Sequence, residues 1–480
     1  MSLAQRLKHS LRLSDWASRT GGVCVAGALT GVGILGMLIS FASGLDSTAL
    51  AWRIGLVVPI VAVGLISLFF ALRDLDPKHT VWLFAVVTVL AAIWNVCVPF
   101  VVAAKVNWGL LVPPMRPLGS DFLLGLYRPG AAFSSSDSAW PPLTLVIGHA
   151  FAWLDTSLAY PAYVASLVLL GLVASAISAK LASKATYTLG RSAGDLPRYL
   201  FLAIALWLVT SYGFMFEVER GNANIYALFF SVLAIWTLVR FPQSAWFPAA
   251  LLAIAINIKV YPAVLLAVLF WRLRWRAIVP VVATNVALLL VAGPANALSF
   301  LVNLRSLGGA PFLWAGNHSA VSFVVLLSQQ LEMPYRNVRY MLLVPALLIP
   351  AVLWIWTISV AARQGRTNRG AVLMAAASMP VMTIFPTVSH DYTLVLLVLP
   401  LALTVLLVAT MRNLPSSART ALFAASCLEL VYLGRSTMLT ISPVLANKYP
   451  LLVALQVLIL VLVIVGDDTA MDPLSHAIAV

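Results

Sequence analysis

The sequence predicts an all-α polytopic membrane bundle of about 12–13 transmembrane or re-entrant helices. Three observations predict it. The 480 residues are 62% hydrophobic and only 10% charged, with a mean hydropathy of +0.98. Apolar runs close to the roughly 20 residues that cross a bilayer recur along the whole length. No β-barrel alternation is present, and in lipid a helix satisfies its own backbone polar groups.

Taken in order, the spans fall near 22–43, 54–72, 80–104, 158–180, 197–215, 222–240, 277–303, 340–362, 370–387, 392–411, 420–436 and 449–466. The first follows Arg6, Lys8, Arg12 and Arg19, and it is too long for the apolar core of a cleavable signal. Between 243 and 271 lie two shorter apolar pieces broken at Lys259-Val260-Tyr261-Pro262. Proline disfavours helix at the residue before it, so a re-entrant V or two short helices meeting at Lys259 is expected. Residues 1–104 are N-terminal spans, 105–157 a long loop, 158–466 the main transmembrane core and 467–480 a tail. The loop is rich in Pro, Gly, Ser and aromatics. Its stretch from Pro141 to Trp153 has the length of an interfacial helix anchored by Trp140 and Trp153.

A net charge of +14 invites a nucleic-acid reading. That reading is excluded because the basic residues sit in short loops between spans, where they act as topology signals and contacts with anionic lipid. With the N-terminus in the cytoplasm, one set of loops gathers Arg73 and Lys78; Lys180, Lys184, Arg191 and Arg198; Arg240; Arg272, Arg274 and Arg276; Arg363, Arg366 and Arg369; and Arg412 and Arg419. The acidic tail residues Asp467, Asp468 and Asp472 fall on that side too, but carboxylates hardly count in this rule. The opposite, outer face then holds the loop 105–157, the segment Glu217–Gly221, the Lys259 apex, the loop 304–339 and the corner Ser389-His390-Asp391. Cys24, Cys97 and Cys427 lie in or near apolar segments without CxxC spacing, as small core residues do. No P-loop or HExxH motif is present, which argues against a primary ATPase.

The outer face concentrates the rare ionisable groups, and such groups at membrane depth commonly mark a site or pathway. Glu217-Val218-Glu219-Arg220-Gly221-Asn222-Ala223-Asn224 puts three charges and two carboxamides between apolar runs. Its structural reading is a polar hairpin. Asp121 is a helix N-cap or a general base. Asp137, within a serine run, reads as ordinary loop. Arg220 and Lys259 either snorkel toward headgroups or hold an anion. Arg pairs with phosphate bidentately and Lys acts on it as a point charge. His390 is either structural or a donor to a leaving oxygen, oriented by Asp391. His318, in Gly316-Asn317-His318-Ser319, is placed similarly, and Glu429, in mid-span, has Arg435 as a candidate partner. Cations, carboxylates and histidines on one face together form the chemistry of binding a phosphate and activating a nucleophile beside it.

From Asp121 to Met411 the order of motifs resembles the polyprenyl-phosphate-dependent glycosyltransferases of family 87, in the C-type membrane superfamily. The resemblance rests on Asp121 followed by Trp140-Pro141-Pro142, on Glu219 to Asn224, on Ala255 to Pro262, on Gly316 to Ser319 and on Ser389 to Tyr392. The chain departs from the family at Asn222, where Gln is common, at His318 within the usual Asn-Gln-Ser, and at Ser389, where Trp is common. Two N-terminal spans look like an addition.

The resemblance implies an inverting transferase on the outer face of a bacterial plasma membrane. Its donor is a polyprenyl-phosphate sugar, with mannose the first choice, and its acceptor a glycolipid or glycan. By similarity Asp121 is the base, and Arg220, Lys259 and His390 hold the donor phosphate. Glu219, Asn224, Asn317, His318 and Asp391 support them. No cofactor, no required metal and no nucleic acid partner is expected. The alternatives are an arabinofuranosyltransferase using a decaprenyl-phosphate donor, or a lipid or sugar transporter. Transporters favour broken helices, internal repeats and midplane charges; this chain has one broken element, no visible repeat, and charges gathered at the outer face with Glu429 nearly alone in mid-span.

Overall fold

A computed structural model describes residues 20–38, 47–73, 75–103, 119–127, 140–186, 195–307, 316–333, 335–363, 365–411, 414–435 and 442–468. Asp137, Arg191, Arg412, Asp472, the N-terminal basic residues and most of the loop 105–139 lie outside the described residues. Within them the chain is an all-α bundle without a named strand. Five helices are long and apolar enough to cross a membrane: Thr20–Leu38, Pro77–Trp94, Thr156–Ala185, Met341–Arg363 and Asp391–Thr410. Two bent helix pairs raise the number to seven if each is one span, and shorter apolar helices of 10–17 residues complete the bundle. The protein is therefore an integral membrane protein.

The segment Asp391–Thr410 forms the axis. Its apolar window is 94% buried, against 17% for Met341–Arg363 at the periphery. Thr156–Ala185, Pro77–Ala103 and Asn368–Ile384 pack around its α-helical part, Val398–Thr410. The N-terminal helices join this bundle through aromatic contacts. Phe70 stacks on Phe423 at 4.3 Å between ring centres, and Phe84 reaches the same ring at 4.8 Å. That places the Ser47–Leu72 and Pro77–Ala103 helices against Ser416–Gly434.

Three spans expected to be straight or simply broken take their shape from local causes. The run 197–215 divides at Ser211, where Leu196–Thr210 meets Tyr212–Arg220 at 53°. Ser211 has an extended backbone, and its hydroxyl accepts the Phe214 N–H as an N-cap. Glu217, Glu219 and Arg220 are accordingly the last turns of a short helix and not a hairpin loop. The run 277–303 bends by 101° between Leu289 and Pro294. Pro294 cannot continue a helix from Gly293, which takes φ +93°. The expected break at Lys259 is present: Trp246–Ile258 ends where Lys259 adopts extended φ −145°, ψ 136°, and a 3₁₀ turn restarts at Tyr261 with Pro262 in its first turn. The stretch after Trp140 is helical only over Pro142–His149.

Gly221 closes the short helix in a left-handed conformation, φ +68°. A Cβ there would lie 2.6 Å from Cβ of Phe122. Gly365 has a similar φ, +73°, but a Cβ at that position would meet nothing within 4 Å. Both substitutions carry a conformational cost of roughly 1–3 kcal/mol, but only Gly221→Ala also collides. Gly221→Ala is expected to lower the melting temperature in detergent clearly more than Gly365→Ala; equal losses would contradict this close approach.

Candidate active site

The site is built where the chain running on from Gly119 meets the end of the short helix at Gly221. Gly119 N–H donates to the Glu219 carbonyl at 2.7 Å. Phe122, fully buried, stacks on Tyr163 at 4.4 Å and also meets Tyr160 and Phe151. This aromatic floor fixes the π-helical turn Asp121–Leu126. Asp121 does not act as an N-cap. Its Oδ1 accepts from Arg220 Nη2 at 2.6 Å and its Oδ2 from Asn222 Nδ2 at 3.0 Å. Two residues 99 positions apart thus form an ion pair, with side chains only 21% (Arg220) and 11% (Asp121) exposed. Such a pair is far less screened than a surface one.

Arg220, at a helix C-terminus, is where a cation is favoured by the backbone dipoles. Its Nε is buried without a hydrogen-bond partner among the described residues. The expected orienting partner, Glu219, does not hold it. Glu219 lies within electrostatic reach of Arg220, but Asp121 makes the contact, and Glu219 Oε2 is buried without a hydrogen bond among the described residues. Buried orphans of this kind call for an explanation.

Glu217, unassigned from sequence, has a clear structural task. Fully buried, it accepts Ile225 N–H at 3.1 Å on Oε1 and Asn224 Nδ2 at 2.8 Å on Oε2. It satisfies the open N-terminus of the Asn224–Arg240 helix from outside. Asn222 links both systems, because its Oδ1 accepts from Asn224 Nδ2 at 2.8 Å while its Nδ2 serves Asp121.

Lys259 sits at the helix break, 3.9 Å above the Trp140 ring and 5.9 Å from that of Tyr392. Glu217 and Asp121 are within its electrostatic reach. Trp140 is therefore a cation–π partner inside the site, not the interfacial anchor expected. Trp153, by contrast, is 81% exposed. Thr144 Oγ1 donates to the Ile258 carbonyl at 2.7 Å, tying the Pro142–His149 helix to the break. Tyr261, two residues on, has a buried hydroxyl without a hydrogen bond among the described residues.

His390 stands edge-on to Tyr392 at 5.3 Å, and Tyr392 stacks on Phe216 at 5.6 Å. Burial pushes the His390 imidazolium down, to about 3, with His318, Arg220 and Lys259 adding to the effect against the pull of Asp391. At neutral pH His390 is an uncharged imidazole.

Asp391 does more than orient its neighbour. Its Oδ1 meets His318 Nε2 at 3.0 Å and Lys448 Nζ at 3.3 Å. Lys448 N–H donates to His318 Nδ1 at 3.1 Å, and its ammonium also donates to the Leu433 and Arg435 carbonyls. Burial lowers His318, and it lowers Lys448 against the field of Asp391. Asn317 completes the knot: its Oδ1 accepts Ser389 N–H at 2.8 Å, its Nδ2 donates to the Thr387 carbonyl at 3.0 Å, and its own carbonyl accepts from Asn447 Nδ2 at 2.6 Å. Lys448 escaped sequence reasoning. Its only signal is a lone Lys-Tyr-Pro opening an apolar run. Glu429, by contrast, is not seen paired with Arg435; its Oε2 is buried without a hydrogen bond among the described residues.

Asp121, Arg220, Lys259 and His390 therefore converge, with Glu219 and Asn224 beside them and Asn317, His318 and Asp391 behind the His390 corner. Among the described residues no group of three or more His, Cys, Asp or Glu side chains gathers as a metal would require. The positive charge facing the site comes from Arg220 and Lys259.

Lys448→Met would leave Asp391, whose side chain is 0% exposed, without its cation. A loss of about 3–5 kcal/mol is expected for breaking a buried pair, and Asp391→Asn in the same chain should recover part of it, measured by melting in detergent. For His390, the native state refuses a proton that the unfolded chain accepts below its ordinary value of 6.5. Stability contributed by His390 is therefore present above about pH 6.5 and is lost as pH falls toward about 3. His390→Gln should flatten the acid limb of the melting curve in that window.

A family model of glycosyltransferase family 87 matches residues 139–386, just over half of the 480-residue chain. No curated protein and no solved structure matches the chain. The matched interval contains Arg220, Lys259, Asn317 and His318, while Asp121, His390 and Asp391 lie outside it and are brought in by the fold. The match and the apolar helical bundle agree, and the chain is a membrane glycosyltransferase belonging to glycosyltransferase family 87.

Proposed function

We propose that the protein transfers mannose from a polyprenyl-phosphate donor to a glycolipid or glycan acceptor, with inversion. The site would face the outside of a bacterial plasma membrane, with the N-terminus in the cytoplasm. The observation that carries the reading is the buried, orphaned Nε of Arg220 beside the Asp121 carboxylate. A guanidinium with one edge engaged and one donor unused is suited to receive a phosphate oxygen.

In the reaction, the acceptor oxygen forms a bond to the anomeric carbon from the face opposite the phosphate. Its proton passes to an Asp121 oxygen, which acts as general base. The bond from the anomeric carbon to the phosphate oxygen breaks, and its electron pair stays on the phosphate. Arg220 and Lys259 stabilise that charge, and neutral His390 donates one hydrogen bond to it. The arriving phosphate draws Arg220 from Asp121, which frees the base only when a donor is bound. Glu219 Oε2 and the Tyr261 hydroxyl, both orphaned and buried, are suited to sugar hydroxyls.

The test is a membrane assay with polyprenyl-phosphate mannose and, in parallel, decaprenyl-phosphate arabinose. Mannose incorporation is expected, and transfer of arabinose alone would replace this reading. Asp121→Asn should abolish transfer while donor binding is kept or tightened, since Arg220 is released. Near-normal turnover in that variant would refute the base assignment. His390→Gln should retain most activity and His390→Ala should lose roughly tenfold, about one neutral hydrogen bond. An equal, large loss in both would mean that His390 acts as a cation.

A further inference from the structure

A second charged region lies at the far end of the same helices. The Asn224–Arg240 helix runs from the site for 17 residues, or about 25 Å. Trp246–Ile258 returns to Lys259, and Tyr261–Leu273 runs back again. The loops at this pole carry Arg240, then Arg272, Arg274 and Arg276, then Arg363 and Arg366, and no Asp or Glu occurs within 240–246, 270–277 or 363–369.

These loops are joined in space. Arg276 Nη2 donates to the Gln243 carbonyl at 2.9 Å, and Arg272 Nη2 donates to Asn368 Oδ1 at 3.1 Å. Arg366 is within electrostatic reach of Arg272. Like charges held together by the fold without a carboxylate repel one another, and the arrangement is relieved by a bound anion. Arg274 adds to this with φ +57°, a conformation that costs a non-glycine residue roughly 1–3 kcal/mol and that collects at binding sites.

The surroundings select the kind of anion. Trp275 is 76% exposed, Phe247 67% and Trp246 57%. Large aromatics exposed beside arginines match the headgroup level of a bilayer, where rings lie in the interface and guanidinium groups meet phosphates. A soluble anion would leave these rings in water.

We propose that this pole is a binding site for an anionic phospholipid, with its headgroup phosphate held by Arg272, Arg274 and Arg366 and its chains covering Trp275 and Trp246. The site is distinct from the candidate active site, and its occupancy is read by binding alone.

The test uses the purified full chain in detergent with dioleoyl phosphatidylglycerol, dioleoyl phosphatidylcholine as control, and retained lipid counted by native mass spectrometry. The wild type is expected to hold the anionic lipid in preference. The triple variant Arg272→Gln, Arg274→Gln, Arg366→Gln should weaken it at least tenfold. Lys180→Gln with Lys184→Gln, which alters another basic segment, should change it less than twofold. Trp275→Ala, at an exposed position that cannot disturb the core, should weaken binding severalfold and stands in if the triple variant does not fold. Equal retention of the two lipids would overturn the proposal, as would equal losses in the two sets of basic variants or full competition by inorganic phosphate.

Discussion

The ion pair of Asp121 with Arg220 is the contact on which the arrangement of the site depends. It joins a π-helical turn to the end of a short helix 99 residues away. The pair demands close approach of two backbones, and glycines at 119 and 221 permit it. Phe122 then has to fill the space beneath, which it does against Tyr163. Removing either charge leaves the other buried without its ion-pair partner, a costly fault in such an interior.

The same rule organises the rest of the polar interior. Each ionisable group drawn into the bundle near the site is held by something specific. Glu217 caps a helix, Lys259 lies on an indole face, and Asp391 shares His318 and Lys448. Glu219 Oε2, Arg220 Nε and the Tyr261 hydroxyl depart from the rule, each buried without a hydrogen bond among the described residues. The open atoms of Glu219 and Arg220 adjoin the Asp121 ion pair, where they are capacity for a bound group.

Much of this was legible in the sequence, and the reasons are physical. Apolar runs of bilayer length reveal helices directly, and Pro262 announces the break at Lys259. Rare charges stand out in a chain that is only 10% charged, so Asp121, Arg220, Lys259 and His390 could be singled out. Pairing was not legible, because it depends on angles between helices. Glu219 adjoins Arg220 in sequence yet makes no ion pair with it among the described residues, whereas Asp121 does. Trp140 looked like an interfacial anchor because composition cannot tell an indole facing lipid from one facing an ammonium. Lys448 was missed because no second charge adjoins it to mark a cluster, and its partners are 57 and 130 residues away. The bends at Ser211 and Gly293 interrupt hydrophobic runs that remain continuous in composition.

The union of Asp391 with Lys448 also sets an order of assembly. The axial segment Asp391–Thr410 is the most apolar of the five long candidate spans among the described residues. As the chain is synthesised, Asp391 emerges 57 residues before its cation. Until Tyr449–Asp468 enters the membrane, His318 and Asp391 form an unfinished charge cluster at the end of a helix that later neighbours will cover. The last span therefore acts as a latch. A chain that stops short of it leaves Asp391 with His318 but without the Lys448 ammonium, even when Asp121, Arg220, Lys259 and His390 have already been made.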